Sequence, residues 1–253
     1  MSLDSCFPPL LLWLAQAAVG GTFYIAVLAR HGVESRFFAA HSLVLASFWL
    51  AISCALGLTD NYLCGFSFIC LIAAWRFRKG DLTGGKSWLL LAAALGALFG
   101  LLRFVVIAED YSIWLKLWML VSVYIGVFTM GILYLSLAIV FAPADWIDDP
   151  HYASTRTLLP LEQALYIRAL YQIASLLAIP MIAEKQGVHF LASITGRSGL
   201  LAITWITGLL LPLMLLFHDE DVEPFTPQQQ RWRFLILGFS ASFSVLVGAQ
   251  LFL

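Results

Sequence analysis

Charge is scarce in this chain of 253 residues: Asp, Glu, Lys and Arg make up 11% of it, against about a quarter in an ordinary soluble domain. Together with 61% hydrophobic residues and a mean hydropathy of +0.90, that scarcity excludes a soluble globular protein and marks an integral membrane protein. Cysteine is sparse as well. Cys6, Cys54, Cys64 and Cys70 show no C-x-x-C spacing, so they read as small buried hydrophobes and not as zinc or iron–sulfur ligands. Histidines are few and scattered: His31, His151, His189 and His218 fall in loops or at segment ends, and His41 stands alone in an apolar run. The facing histidines that hold haem inside a bundle are therefore not expected. Before the first apolar run there is no basic region and no small-residue cleavage pattern, so that run is expected to stay as a membrane span. No repeat, low-complexity linker or soluble domain breaks the chain, which reads as a single membrane domain over 1–253 in the lipid bilayer, with no nucleic-acid partner.

What is abundant is the long hydrophobic run. Apolar segments lie at about 9–29, 38–58, 61–77, 88–108, 115–141, 160–183, 199–217 and 234–253. At about 1.5 Å of rise per residue, a helix of roughly 20 residues crosses a hydrocarbon core of ~30 Å. The expected fold is an all-α integral membrane protein, an eight-transmembrane-helix bundle. The stretch from Phe38 to Phe77 is too long for one crossing and breaks at Thr59 and Asp60, so a hairpin is expected there. Arg30, Arg36, Arg76, Arg78, Lys79, Lys86, Arg156, Arg231 and Arg233 fall on one side of this layout, and only Lys116, Lys185 and Arg197 on the other. The positive-inside rule then makes both termini extracytoplasmic and puts Asp60, Asn61, Glu109, Asp110 and the end of the fourth span on one outer rim.

The segment pair from Trp88 to Phe141 organises the rest. Its first run carries one charge, Arg103, and the polar knuckle Glu109-Asp110-Tyr111-Ser112 joins it to the second. A guanidinium within a span needs a partner or a wet cavity, which makes Arg103 a candidate functional residue; the competing assignment is a side chain that snorkels to the interface. Asp110 follows seven residues later, about two turns along nearly the same face. Arg168, near Glu162 and Gln172, reads as a bond within the bundle. Gly96-Ala97-Leu98-Phe99-Gly100 reads as a small-residue packing face where the first and fourth spans can meet.

The stretch Trp13-Leu14-Ala15-Gln16-Ala17-Ala18-Val19-Gly20-Gly21, with Leu102-Arg103-Phe104-Val105, Tyr111-Ser112-Ile113-Trp114 and Phe128-Thr129-Met130-Gly131, resembles the membrane anchor subunit of dimethyl sulfoxide reductase and its relatives. The resemblance covers most of the chain through short motifs. It implies a haem-free anchor in a bacterial inner membrane that binds menaquinol as an exchangeable ligand at its external rim. Electrons would pass to a four-cluster iron–sulfur subunit holding 4Fe–4S clusters, docked at the extracytoplasmic face, and on to a molybdenum catalytic subunit with a bis-pterin cofactor. Gln16, Arg103 and the rim acids would form the quinol neighbourhood. Where that family has a histidine near the outer end of span two and a carboxylate at the start of span three, this chain has Gly57 and Asn61. Either the proton-accepting carboxylate has moved to Asp60 or Glu109, or quinol is not oxidised in the familiar way.

Quinol oxidation releases electrons and protons together, so a site needs a proton acceptor, a donor to orient the opposite oxygen and an apolar slot for the ring. Asp60, Arg103 and Glu109 are the catalytic candidates. Gln16, Asn61, Arg103, Asp110, Tyr111, Trp114 and His189 are the quinone-binding candidates, and no metal ligand is expected. Asp60 and Glu109, each taken alone, read first as helix ends in water, and Trp114 and Trp118 as part of an interface belt. Two other functions stay open: a structural assembly anchor with a degenerate quinone site, and a small-solute membrane transporter.

Overall fold

A backbone inside hydrocarbon has no water to bond, so long apolar segments satisfy their N–H and C=O groups internally, as helices. The computed structural model describes residues 3–28, 33–55, 61–107, 113–143, 145–147, 150–182 and 227–252. Among the described residues the helices are α1 (Leu3–Val27), α2 (Ser35–Ala55), α3 (Asn61–Arg78), α4 (Leu82–Ile107), α5 (Ile113–Val140), α6 (Pro150–Ile182) and α7 (Pro227–Phe252).

Of these seven, three are long and apolar enough to cross a membrane: α2, residues Leu82–Leu102 of α4, and α5. The protein is a multi-pass membrane protein, but the expected eight-transmembrane-helix bundle with both termini extracytoplasmic is corrected by that count. The physical reason lies in length and charge. The apolar part of α1, Leu11–Val27, is short, and α3 has 18 residues with Arg76 and Arg78 in its last turn. Within α6 sit Glu162 and Arg168. The sidedness drawn from the basic residues depended on eight crossings and goes with them. The expected segment 199–217 lies outside the described residues.

The chain divides into two compact units. One comprises Leu14–Leu101 and Met130–Leu161. Its frame is the α2–α3 pair: Phe38 meets Phe77 with ring centroids 5.3 Å apart, Ser67 Oγ donates to the Ala46 carbonyl at 2.9 Å, and Ser53 Oγ lies 3.1 Å from Cys64 Sγ. Numbers rise along α2 as they fall along α3, so the two helices run antiparallel. Serines at these positions satisfy their hydroxyls without water, which is what lets them be buried.

The turn from α3 to α4 is fully bonded. Gly80 adopts φ 79°, the left-handed conformation that costs other residues about 1–2 kcal/mol. Its N–H bonds the Phe77 carbonyl at 2.9 Å and that of Asp81 bonds the Arg76 carbonyl at 3.0 Å, closing the end of α3 as a Schellman motif. Asp81 then caps α4, its Oδ1 accepting from the Gly84 N–H at 2.9 Å, while its Oδ2 holds Arg76 at 3.0 Å. In the same unit an isolated bridge pairs Val33 with Ile147 and ties the approach to α2 to the chain after α5. Arg36 adds contacts of 3.7 Å to Glu34 and 3.8 Å to Asp145. These pairs are exposed and contribute under about 1 kcal/mol each.

The other unit comprises Met1–Trp13, Leu102–Thr129 and Glu162–Leu253. Helix α7 buries Phe234, Leu237 and Ala241, an i, i+3, i+7 stripe on one face. Between α5 and α6 the Trp118 and Tyr171 rings stack with centroids 5.1 Å apart. Trp118 Nε1 donates to Ser175 Oγ at 2.9 Å, Ser175 Oγ donates to the Tyr171 carbonyl at 2.7 Å, and the Tyr171 hydroxyl donates to the Trp118 carbonyl. The three bonds form a closed circuit.

Candidate functional site

Of the nine candidate residues, Gln16 lies in α1, Asn61 opens α3, Arg103 lies in α4 and Trp114 falls in the first turn of α5. Asp60, Glu109, Asp110, Tyr111 and His189 lie outside the described residues. Trp114 is 68% exposed, as an interface tryptophan would be, whereas Gln16 is 5% exposed. Gln16 and Asn61 belong to one compact unit, Arg103 and Trp114 to the other.

Gln16 is the informative member. Its Oε1 is buried and has no hydrogen-bond partner among the described residues, and the same holds for Nε1 of Trp49. One is an acceptor and the other a donor. Both belong to the unit built on α2 and α3, where Trp49 is 2% exposed. Trp49 lies against Gly96 of α4: a Cβ there would lie 2.8 Å from the Trp49 ring and 3.2 Å from the Val19 side chain. Val19 follows Gln16 by three residues on α1, so the two share a helix face. From Trp49 an aromatic row leads on, to Phe66 at 4.9 Å and from Phe66 to Phe99 at 5.9 Å, both edge-on. Only glycine at 96 leaves room for the indole, which explains locally why a small residue sits there. Gly100, the other half of the small-residue pattern, has nothing within 4 Å of its Cβ position.

A buried polar atom without a partner costs about 1–3 kcal/mol. Gln16 Oε1 is thus an unmet acceptor and Trp49 Nε1 an unmet donor within the same unit. Trp49 was the residue that sequence reasoning missed, because in an apolar run nothing distinguishes an indole turned into the bundle from one facing lipid. Phe66 was likewise missed, as one phenylalanine among many.

His41 and Tyr134 form a second polar contact in the same unit. His41 Nδ1 lies 3.0 Å from the Tyr134 hydroxyl, and the imidazole packs on Phe37 at 4.4 Å. In the other unit Arg168 is buried, and its Nε has no partner among the described residues. Helix α6 is not one of the three candidate spans; burial there pushes Arg168 down to about 10, which leaves it cationic at neutral pH, and pushes Tyr171 up to about 12, which leaves it neutral. A groove of about 380 Å³ on α6 is lined by Glu162, Gln163, Tyr166 and Ile167, and includes neither Gln16 nor Trp49. Among the described residues no three His, Cys, Asp or Glu side chains form a group able to hold a metal ion. No family model, no curated protein and no solved structure matches the chain.

Proposed function

We propose that the protein is a haem-free, quinone-linked membrane anchor of a respiratory molybdenum and iron–sulfur oxidoreductase, seated in a bacterial inner membrane. The observation that carries this reading is the pair of unmet buried atoms, Gln16 Oε1 and Trp49 Nε1. A quinol ring carries an oxygen at each end. Gln16 Oε1 would accept from one hydroxyl, Trp49 Nε1 would donate to the other oxygen, and Trp49, Phe66 and Phe99 would supply apolar walls. The resemblance noted from the sequence adds support, since two of its stretches come together: Gly20 of the first lies against Gly131 of the last. In this reading menaquinol exchanges from the membrane, a four-cluster iron–sulfur subunit receives the electrons, and a molybdenum subunit consumes them.

The test is binding of a fluorescent hydroxyquinoline analogue of menaquinol to the purified full chain. Losing one hydrogen bond of about 1–2 kcal/mol should weaken binding roughly five- to thirtyfold in Gln16→Leu and in Trp49→Phe. Unchanged affinity in both would refute the site. The anchor role is tested separately by gentle-detergent purification, where iron and molybdenum should accompany the chain; a stable chain without them that moves a solute in liposomes would replace it with transport.

A further inference from the structure

Helix α3 leaves a stripe of large apolar side chains uncovered: Phe68, Leu71 and Trp75 are 63%, 45% and 51% exposed. Spacings of three and four residues put them on one face, and the next turn of that face brings Arg78 and Lys79. Both cations are exposed, and neither has a carboxylate partner among the described residues. Arg76, by contrast, is taken by Asp81. Lys79 Nζ stands 4.0 Å from the centroid of the Trp75 ring, a geometry in which the indole attracts the ammonium without neutralising it.

The opposite face of α3 settles the depth of this stripe. Because α3 lies antiparallel on the spanning helix α2, Ser67 is level with Ala46 in the body of that span, and Phe77 is level with Phe38 near its start. With α2 crossing the bilayer, the apolar stripe falls at hydrocarbon depth and the two cations at the level of the headgroups. The doubly closed turn at Gly80 and Asp81 holds them there.

We propose that this face of α3 binds an anionic glycerophospholipid, with an acyl chain along Phe68, Leu71 and Trp75 and the phosphate between Arg78 and Lys79. Charge complementarity selects this occupant over a second copy of the chain. A two-fold axis along the membrane normal would set Arg78 and Lys79 against their own copies, whereas a phosphodiester neutralises them. The inference is independent of the quinone reading.

The experiment uses the full chain in detergent micelles titrated with lipids brominated on their acyl chains, phosphatidylglycerol against phosphatidylcholine. The signal is the part of tryptophan quenching that disappears in Trp75→Phe. In the wild type, half-quenching should need roughly ten- to thirtyfold less phosphatidylglycerol than phosphatidylcholine. The pair Arg78→Gln with Lys79→Gln should lose that preference, and the swap Arg78→Lys with Lys79→Arg should keep it. Equal quenching by the two lipids in the wild type overturns the proposal, as does a preference that survives in the Gln pair. So does a dimer, seen by light scattering, whose formation shields Trp75 from both lipids, or an acidic protein that co-purifies on this face and does the same. Should the Gln pair fail to fold, the wild-type comparison and the swap decide.

Discussion

Gly131 of α5 rests on the backbone of Gly20 of α1: a Cβ on Gly131 would lie 2.6 Å from both the Cα and the carbonyl oxygen of Gly20. The obstacle is main chain and cannot rotate away. The two helices must separate before any side chain fits, and Gly21, one residue along, is itself closed in by Leu45 and Tyr134.

Gly131→Ala should therefore destabilise the protein by about 1–3 kcal/mol, read as a lower midpoint of thermal unfolding in detergent. Gly100→Ala is the control, since its Cβ position is open, and there the better helix propensity of Ala should leave stability unchanged or raise it by up to about 1 kcal/mol. Equal midpoints for the two variants would show that the α1–α5 approach is looser than the structure has it.

The circuit of Trp118, Ser175 and Tyr171 predicts coupling. Tyr171→Phe removes the hydroxyl that bonds the Trp118 carbonyl, and Trp118→Phe removes the donor that reaches Ser175. Because the bonds close on one another, the double variant should lose less than the sum of the two single losses, with an interaction energy of about 1 kcal/mol in a double-mutant cycle. Strict additivity would reduce the circuit to three independent bonds.

Arg103 supplies a test of the quinone reading that does not involve Gln16 or Trp49. If its guanidinium orients a quinol oxygen or the acid that takes the proton, quinol-linked turnover per assembled complex should fall in Arg103→Lys, where the planar fork is lost, and fall further in Arg103→Leu. Turnover from an artificial donor that bypasses the membrane subunit should stay at the wild-type level. Normal turnover per complex with reduced yield would instead assign Arg103 to insertion.

Much of this architecture is written in the order of residues. The run from Phe38 to Phe77 is too long to cross once, and the structure breaks it at the expected place, with α2 ending at Ala55 and α3 beginning at Asn61. Gly96 was readable as a close-packing point, and it does face Val19 of α1. The number of crossings was not readable from apolar segments alone, because the apolar part of α1 is short, α3 closes on Arg76 and Arg78, and α6 carries Glu162 and Arg168 inside its run. The site was readable only in part. A glutamine within an apolar run announces itself, so Gln16 stood out; whether a tryptophan nitrogen finds a partner depends on the shape of three helices at once, and nothing local to Trp49 records it.

The antiparallel packing of α2 on α3 also has a consequence for how the chain is made. Every contact that holds this pair together lies between Ser35 and Arg78, so the hairpin can enter the bilayer and close while the ribosome is still translating α4. Gly20 must wait for Gly131. Contacts so unequal in sequence separation form in sequence order during synthesis. A defect at Gly131 would thus arise in a chain whose first hairpin has already closed, and it would leave that hairpin's own contacts intact.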